Sequence, residues 1–492
     1  MKKFYLLSLL LLAFLPITLQ AQANIYSASV NKTNIALRGG PQVLASVTAS
    51  FPSGGYAVVH FDGECYATEG DRIILAASNT GDWQTDDGNV AVETSRAGFG
   101  RPFSHTRVYP VTAGAHTYNA VAQNFVETDG SGMASIYGTL TVEFFPETGT
   151  ATVASKGFSF NGDVTNTKVV AEQTIHVTAP GKIVLRFDGF ITSDPGDRIV
   201  LAASNTTNWS FNDGNVAVEA LNEGDVDGNS FSHTRVYTVP SAGDYTYYAV
   251  SQIFGEDGGN HMVSIHGNLL VEFFPDSNPE KILFDGFTLP EFDMNGQSTE
   301  ITSVTFNAPS AGKVMVGLDG YLTANEGYLI LLAASNDGTW SNNDGSVTYQ
   351  ALDNDQNRYS FSHTRVYNVS AGSNTFYAVG EIFSDSGTET ADLFGALTVK
   401  YIPNTTTAVT DLSAEKNSFE IYPNPSSDMV NITFKTPMES GKKIQLLDLK
   451  GSILMESEHT GTDEIKMDMS AFPANLYWIK VGNALKPIMK MK

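Results

Sequence analysis

The sequence predicts an all-β protein: three tandem jelly-roll-like β-sandwich repeats followed by a smaller C-terminal β-sandwich. Three observations predict it. The heptapeptide Phe103-Ser104-His105-Thr106-Arg107-Val108-Tyr109 returns unchanged at Phe231 to Tyr237 and at Phe361 to Tyr367. The copies stand about 130 residues apart, too far for a solenoid or propeller repeat and right for a small domain. Inside each repeat, apolar residues alternate or run briefly between clusters of Gly, Asn and Asp, as strands require. The composition agrees: 44 Gly, 19 Pro, 29 Phe and 20 Tyr against 17% charged residues suit β-rich folded modules, not disorder.

Residues 1–23 carry Lys2 and Lys3, an apolar run from Phe4 to Leu15, then Ala21-Gln22-Ala23, the three parts of a secretory signal peptide. Export from the cytoplasm is therefore expected. The apolar run is too short to span a bilayer and no later stretch reaches about 20 apolar residues, so no transmembrane segment is expected. The first repeat occupies 24–148 and closes on Val142-Glu143-Phe144-Phe145-Pro146. The second, 154–276, closes on Val271-Glu272-Phe273-Phe274-Pro275, and the third, 282–404, on Val399-Lys400-Tyr401-Ile402-Pro403. Short polar joints between them predict three separate cores, each able to fold alone. Residues 405–418 read as a Thr-rich linker and 419–492 as the tail domain.

In the second repeat, strands are predicted at Thr174 to Val177, Lys182 to Phe187, Asp197 to Ala203, Asn215 to Ala220, Phe231 to Val239, Tyr245 to Gln252 and Ser264 to Phe274. Seven or eight antiparallel strands in so short a stretch predict a two-sheet sandwich of jelly-roll topology. Without a disulfide, its stability must come from burial: Cys65 is the single cysteine. Aligning the repeats on Asp62-Gly63, Asp188-Gly189 and Asp319-Gly320 sets Cys65 opposite Ile191 and Leu322, which makes it a core hydrophobe and not a reactive thiol.

The balance of 29 basic to 53 acidic side chains gives a net charge of −24, which opposes binding to phosphate backbones and excludes nucleic acid as an expected partner. It is compatible with neutral glycans and with Ca²⁺. Because strand side chains alternate, Phe103, His105, Arg107 and Tyr109 share one face, and Ser104, Thr106 and Val108 the other. The first face has two interpretations. As a site, its rings and cations stack on a sugar and bond its hydroxyls, with His105, Arg107, His233, Arg235, His363 and Arg365 as candidates. As structure, Arg107 pairs with Asp71 or Asp87 and His105 is a satisfied donor. The structural interpretation is the favoured one. Ser104 and His105 point oppositely and are no catalytic dyad. No Gly-x-Ser-x-Gly, His-Glu-x-x-His or pair of cysteine ligands occurs, so an enzyme is not expected.

A second repeated block runs Leu75 to Asn79, Trp83 and Asp87-Gly88, then Leu201 to Asn205, Trp209 and Asp213-Gly214, then Leu332 to Asn336, Trp340 and Asp344-Gly345. Trp83, Trp209 and Trp340 are sugar-stacking candidates or plugs closing the end of each sandwich, the plug being favoured. Asp87, Asp213 and Asp344, near Asn79, Asn205 and Asn336, are candidate Ca²⁺ ligands or ordinary Asp-Gly turns. Asp71-Arg72 and Asp197-Arg198 become Tyr328-Leu329, so nothing common to all repeats depends on that pair. The segments before the heptapeptide, 93–100, 222–229 and 353–358, vary in length and sequence, as recognition loops or unconstrained surface do.

The stretches at Ala113-Gly114, Ala242-Gly243 and Ala371-Gly372 continue as Ala-Gly-x-x-Thr-(Tyr/Phe)-x-Ala-Val. Over one strand and its turn, this resembles the Gly-x-Tyr-x-Phe strand of complement and tumour-necrosis-factor type jelly rolls. The tail holds Tyr422-Pro423-Asn424-Pro425, Asp448-Leu449-Lys450-Gly451, Leu476-Tyr477-Trp478-Ile479-Lys480-Val481 and the basic end Lys490 and Lys492. It resembles the type A C-terminal sorting domain of the Bacteroidetes type IX secretion system. That resemblance implies the type IX machinery as a partner, passage across the outer membrane, and release or attachment to surface lipopolysaccharide after tail removal. The expected protein is an exported, cell-surface or secreted chain with adhesive or glycan-binding modules. A structural surface protein without a small ligand comes second, and a secreted hydrolase third.

Overall fold

The computed structural model describes residues 24–491 apart from 84–89, 94–99, 127–131, 195–196, 210–215, 220–228, 255–261, 295–296, 325–327, 341–346, 351–357, 384–389, 405–418, 435–442, 449–452, 459–463 and 482–483. The signal-peptide stretch, the linker and most of the variable segments lie outside the described residues.

The first repeat is β1 (Asn24–Ala36), β2 (Gln42–Phe51), β3 (Gly55–Ala67), β4 (Arg72–Ser78), β5 (Val90–Glu93), β6 (Arg101–Val111), β7 (Gly114–Val126) and β8 (Met133–Pro146). They form two four-stranded antiparallel sheets, an inner one ordered β1-β8-β3-β6 and an outer one ordered β2-β7-β4-β5. This interleaving of early and late strands is the jelly roll that the sequence predicted.

The second repeat follows with β9 (Thr152–Asp163), β10 (Lys168–Val177), β11 (Gly181–Thr192), β12 (Arg198–Ser204), β13 (Val216–Glu219), β14 (Asn229–Val239), β15 (Gly243–Phe254) and β16 (Met262–Pro275). The third holds β17 (Lys281–Asp293), β18 (Thr299–Ala308), β19 (Gly312–Ala324), β20 (Leu329–Ser335), β21 (Val347–Gln350), β22 (Arg358–Val369), β23 (Gly372–Phe383) and β24 (Thr390–Pro403). Both keep the same two sheet orders. Strand β9 is absent from the expected set. As an edge strand it has no fully buried residue, and of its residues Ala154, Phe158 and Phe160 pack partly buried against the core, among Ser, Lys, Gly and Asn that mask the pattern.

Each sandwich has its own aromatic core. Phe61, Phe103 and Phe144 in the first are essentially without exposure, and burying each stabilises by about 1.5–3 kcal/mol. Cys65, Ile191 and Leu322 are all buried at matching positions, as expected, and burial pushes the Cys65 thiol pKa up. The Asp-Gly pairs lie mid-strand. Gly63 (φ +151°) pairs with Gly138 on β8, and a Cβ on Gly63 would stand 2.0 Å from the Tyr137 carbonyl. Only glycine allows strands so close there.

The repeats have the separate cores expected, but they are also packed on one another. Residues up to Asn404 form one compact unit. Strands β6, β14 and β22, the three copies of the heptapeptide, pack on one another around a common axis, and each also packs on the next repeat's Asp-Gly strand. The ring closes from the third repeat back to the first. Apolar seams run along it: Val58 and Phe145 meet Val184, Phe274 and Ile282, while Ile25 meets Met315 and Ile402.

The tail is a separate unit with its own core, which includes Phe419, Ile432, Ile444 and Ile479. Its strands are β25 (Phe419–Tyr422), β26 (Met429–Phe434), β27 (Lys443–Leu447), β28 (Ile453–Glu458), β29 (Glu464–Asp468), β30 (Leu476–Val481) and β31 (Ala484–Met489). They form sheets ordered β25-β26-β29 and β28-β27-β30-β31. The entry motif is tied to the exit: Asn424 Nδ2 donates to the Pro487 carbonyl and its Oδ1 accepts from the Met489 amide.

Candidate functional site

The heptapeptide is accounted for residue by residue. On the face that looks into its own sandwich, Phe103 fills the core and His105 is 2% exposed. The Ala77 amide donates to His105 Nδ1 at 2.8 Å, and the Tyr109 hydroxyl donates to the Ala77 carbonyl at 3.1 Å. Among the described residues the pairing of β4 with β5 ends at Leu75, and the backbone of Ala77 bonds His105 and Tyr109. The arrangement recurs at Ala203 with His233 and Tyr237, and at Ala334 with His363 and Tyr367. Histidine thus accepts a backbone N–H at Nδ1 in every repeat. At 1–2% exposure, His105, His233 and His363 also form no ligand face, which corrects their candidacy.

Arg107, Arg235 and Arg365 are half-buried. Arg107 Nη1 lies beside Gly157 on β9, and the Arg235 guanidinium sits over the Phe284 ring of β17 at 5.3 Å. Both reach across a seam instead of presenting an open surface.

The opposite face looks to the axis. Ser104 Oγ donates to Asp188 Oδ2 at 3.1 Å, and Thr106 Oγ1 bonds the same oxygen. Ser232 and Thr234 do the same for Asp319, and Ser362 Oγ donates to Asp62 at 3.2 Å. Each repeat therefore supplies hydroxyls to the carboxylate of the next, around a closed ring. Two residues before each of these carboxylates stand His60, Arg186 and Gly317. Arg186 Nη1 lies 2.9 Å from His60 Nε2, and its other terminal nitrogen lies over Gly317. The last strands contribute Glu143, Glu272 and Lys400, and Lys400 Nζ bonds both glutamates, Glu272 at 2.9 Å.

These charges are buried, and five carboxylates face two permanent cations and one histidine. Burial pushes Asp188 and Asp319 above the ordinary carboxylate range. Burial also lifts Glu143 to about 7, against the pull of Lys400. Burial alone would raise Asp62 as well, but His60 beside it holds it below its ordinary value.

The tryptophans stand on the outward face of the outer sheet, not at the sandwich end. Trp83 Nε1 donates to Gln123 Oε1 at 2.7 Å and its ring meets Phe125 edge-on. Trp209 repeats this with Gln252 and Phe254, and Trp340 with Glu381 and Phe383. The indoles are half-buried, while Phe125 and Phe383 are 59% and 38% exposed. Trp340 and Tyr377 pack on Leu331, Ala333 and Val379. The outward neighbour is Asn119 in the first repeat and Tyr248 and Tyr377 in the others; Arg72 and Arg198 give way to Leu329. Sequence reasoning missed the partners of tryptophan, although Ala-Val-x-(Gln/Glu)-x-Phe at 120–125, 249–254 and 378–383 records them. Asp87, Asp213 and Asp344 lie outside the described residues. Among the described residues no cluster of three metal-ligating side chains occurs.

Fold and tail together define a class: an exported all-β chain of three jelly rolls closed around one axis, followed in sequence by a sorting domain. The tail's family is specific, since residues 420–491 match the secretion system C-terminal sorting domain. The protein is therefore delivered by type IX secretion to the cell surface or the medium. The described residues hold no helix long and apolar enough to cross a membrane. No curated protein matches the chain.

Among solved structures the chain is similar to PNGase F, a glycosylasparaginase from Flavobacterium meningosepticum, at 12% identity and TM-score 0.26, over 51% of this chain and 96% of that one. It is also similar to Sulfolobus turreted icosahedral virus, at 9% identity and TM-score 0.17 over 77% and 91%. The VP2 subviral particle of infectious bursal disease virus follows, at 9% identity and TM-score 0.19 over 80% and 83%. Likenesses this slight add nothing to what the strand order already shows.

Proposed function

We propose that the exported protein is a multivalent glycan-binding adhesin whose sites are the three outward tryptophan platforms. The observation that carries this is the threefold recurrence of an indole held by its N–H to Gln123, Gln252 or Glu381 beside a phenylalanine. An indole fixed in place with a ring at its edge suits stacking on the apolar face of a sugar, and the neighbouring amide or carboxylate suits its hydroxyls. The heptapeptide is occupied by the fold, which leaves these faces as the shared chemistry. Three weak sites on one chain gain avidity of about 10²–10⁴ over a single site.

The test is a glycan array probed with residues 24–404 and with the triple variant Trp83→Ala, Trp209→Ala, Trp340→Ala. The proposal expects array hits that the triple variant loses. Absence of hits, or hits that the variant retains, would favour a structural surface protein, and turnover of a bound glycan would favour a hydrolase.

A further inference from the structure

The three seams of the ring are built from matching positions, and the third holds a cavity. One residue into the first long inner strand after the initial hairpin edge, at Tyr56, Lys182 and Lys313, each repeat faces the first strand of its neighbour. Opposite stand Ser155 for the first seam, Phe284 for the second and Ser27 for the third. The first seam has the Tyr56 ring in place of the lysine, with Arg107 reaching across it beside Gly157. The second has the cation, but the large Phe284 ring stands opposite it with the Arg235 guanidinium laid over that ring. Only the third combines the lysine with a small residue opposite. There a cavity of about 320 Å³ opens between repeats three and one, lined by Tyr26, Ser27, Thr48, Lys313, Val366 and Asn368 among others.

Lys313 is held for this position. Its Nζ donates to the Ile25 carbonyl at 2.6 Å and stands over the Tyr26 ring at 5.4 Å. Among the described residues no carboxylate pairs with it, and an ammonium has three N–H groups, so donors remain for a ligand. Half-burial pulls its pKa down, which a bound anion would reverse. We propose that the seam between the third and first repeats binds a small hydroxylated carboxylate of hexuronic-acid size, its carboxylate on Lys313 and its hydroxyls on Ser27, Thr48 and Asn368.

The volume suits one pyranose ring, at the lower end of ligand sites, which run from about 300 Å³ upward. The polar rim suits hydroxyls, and the single cation selects an acid over a neutral sugar. The site is distinct from the tryptophan platforms and does not rest on them.

The experiment is titration calorimetry with ligand-observed NMR on residues 24–492, using glucuronate, glucose and acetate as probes. Saturable glucuronate binding in the range of about 0.1–5 mM is expected, with glucose and acetate each at least tenfold weaker. Lys313→Gln should weaken glucuronate at least tenfold. Ser27→Phe, which places in the third seam the ring that stands in the second, should abolish binding while leaving the urea midpoint unchanged. Trp340→Ala should leave glucuronate affinity as it was, so failure of the platform reading and failure of this one are separable. No saturation by about 20 mM, equal binding of glucose or acetate, or full affinity in Lys313→Gln would overturn the proposal.

Discussion

Histidine stands in the repeated strand because a buried backbone amide needs an acceptor that reaches across the sandwich, and Nδ1 of a neutral imidazole provides one. His233→Phe keeps the ring volume but leaves the Ala203 amide unsatisfied, so it should destabilise by about 1–3 kcal/mol. A urea midpoint equal to wild type would contradict that role. At the axis, Lys400→Met strands Glu143 and Glu272 together in the interior, and removing one member of a buried ion group costs about 3–5 kcal/mol.

The same cluster makes stability depend on pH in a definite direction. Glu143 titrates at about 7 in the folded chain and at 4.5 when unfolded and solvated, so between those values the folded state holds a proton that the unfolded state has released. Its contribution is complete below pH 4.5 and lost as pH rises through about 7. Asp188 and Asp319, also raised, act in the same direction; Asp62, lowered, acts the opposite way only below 3.8. The urea midpoint should fall from pH 5 to pH 8, and Glu143→Gln should flatten that fall. A midpoint that rises over the same interval would contradict the assignment.

Strand alternation told which side chains share a face but not what each face meets. The division of the heptapeptide into Phe-His-Arg-Tyr and Ser-Thr-Val was legible from period two alone, and the place of Cys65 from aligning the repeats on their Asp-Gly pairs. The partner of the second face was not, because Asp188 lies in another repeat and nothing local to Ser104 points to it. The symmetry-breaking sets His60, Arg186, Gly317 and Glu143, Glu272, Lys400 carry the missing signal. Three like residues would crowd or repel at one axis, so the positions where otherwise similar repeats differ mark where they meet. The tryptophan was legible as a repeated residue; its place on the outer sheet was not, since Gln123 lies 40 residues away on β7. At this scale the prediction is that residues 152–275 alone do not form a native module. Ser232 and Thr234 would lose Asp319, and Val184, Leu270 and Phe274 would face water. A dispersed amide NMR spectrum from the isolated repeat would show that the seams are dispensable.

For the whole molecule, the sorting tail and the ring are separate units with separate tasks. Deleting residues 419–492 should leave the ring folded but held inside the outer membrane of its host, and undiminished surface or medium levels would refute this. The ring itself is the central claim, and the protein carries its own probes for it. Of its four tryptophans, Trp83, Trp209 and Trp340 report one repeat each, and Trp478 lies in the tail. In residues 24–404, variants retaining a single tryptophan and bearing Phe at the other two would be unfolded in urea and followed by fluorescence. If each repeat feeds the carboxylate of the next, the three curves should coincide, and Asp188→Ala, which removes the acceptor of Ser104 and Thr106, should move all three together. Three separate midpoints, with Asp188→Ala shifting only the curve reported by Trp209, would contradict the closed ring.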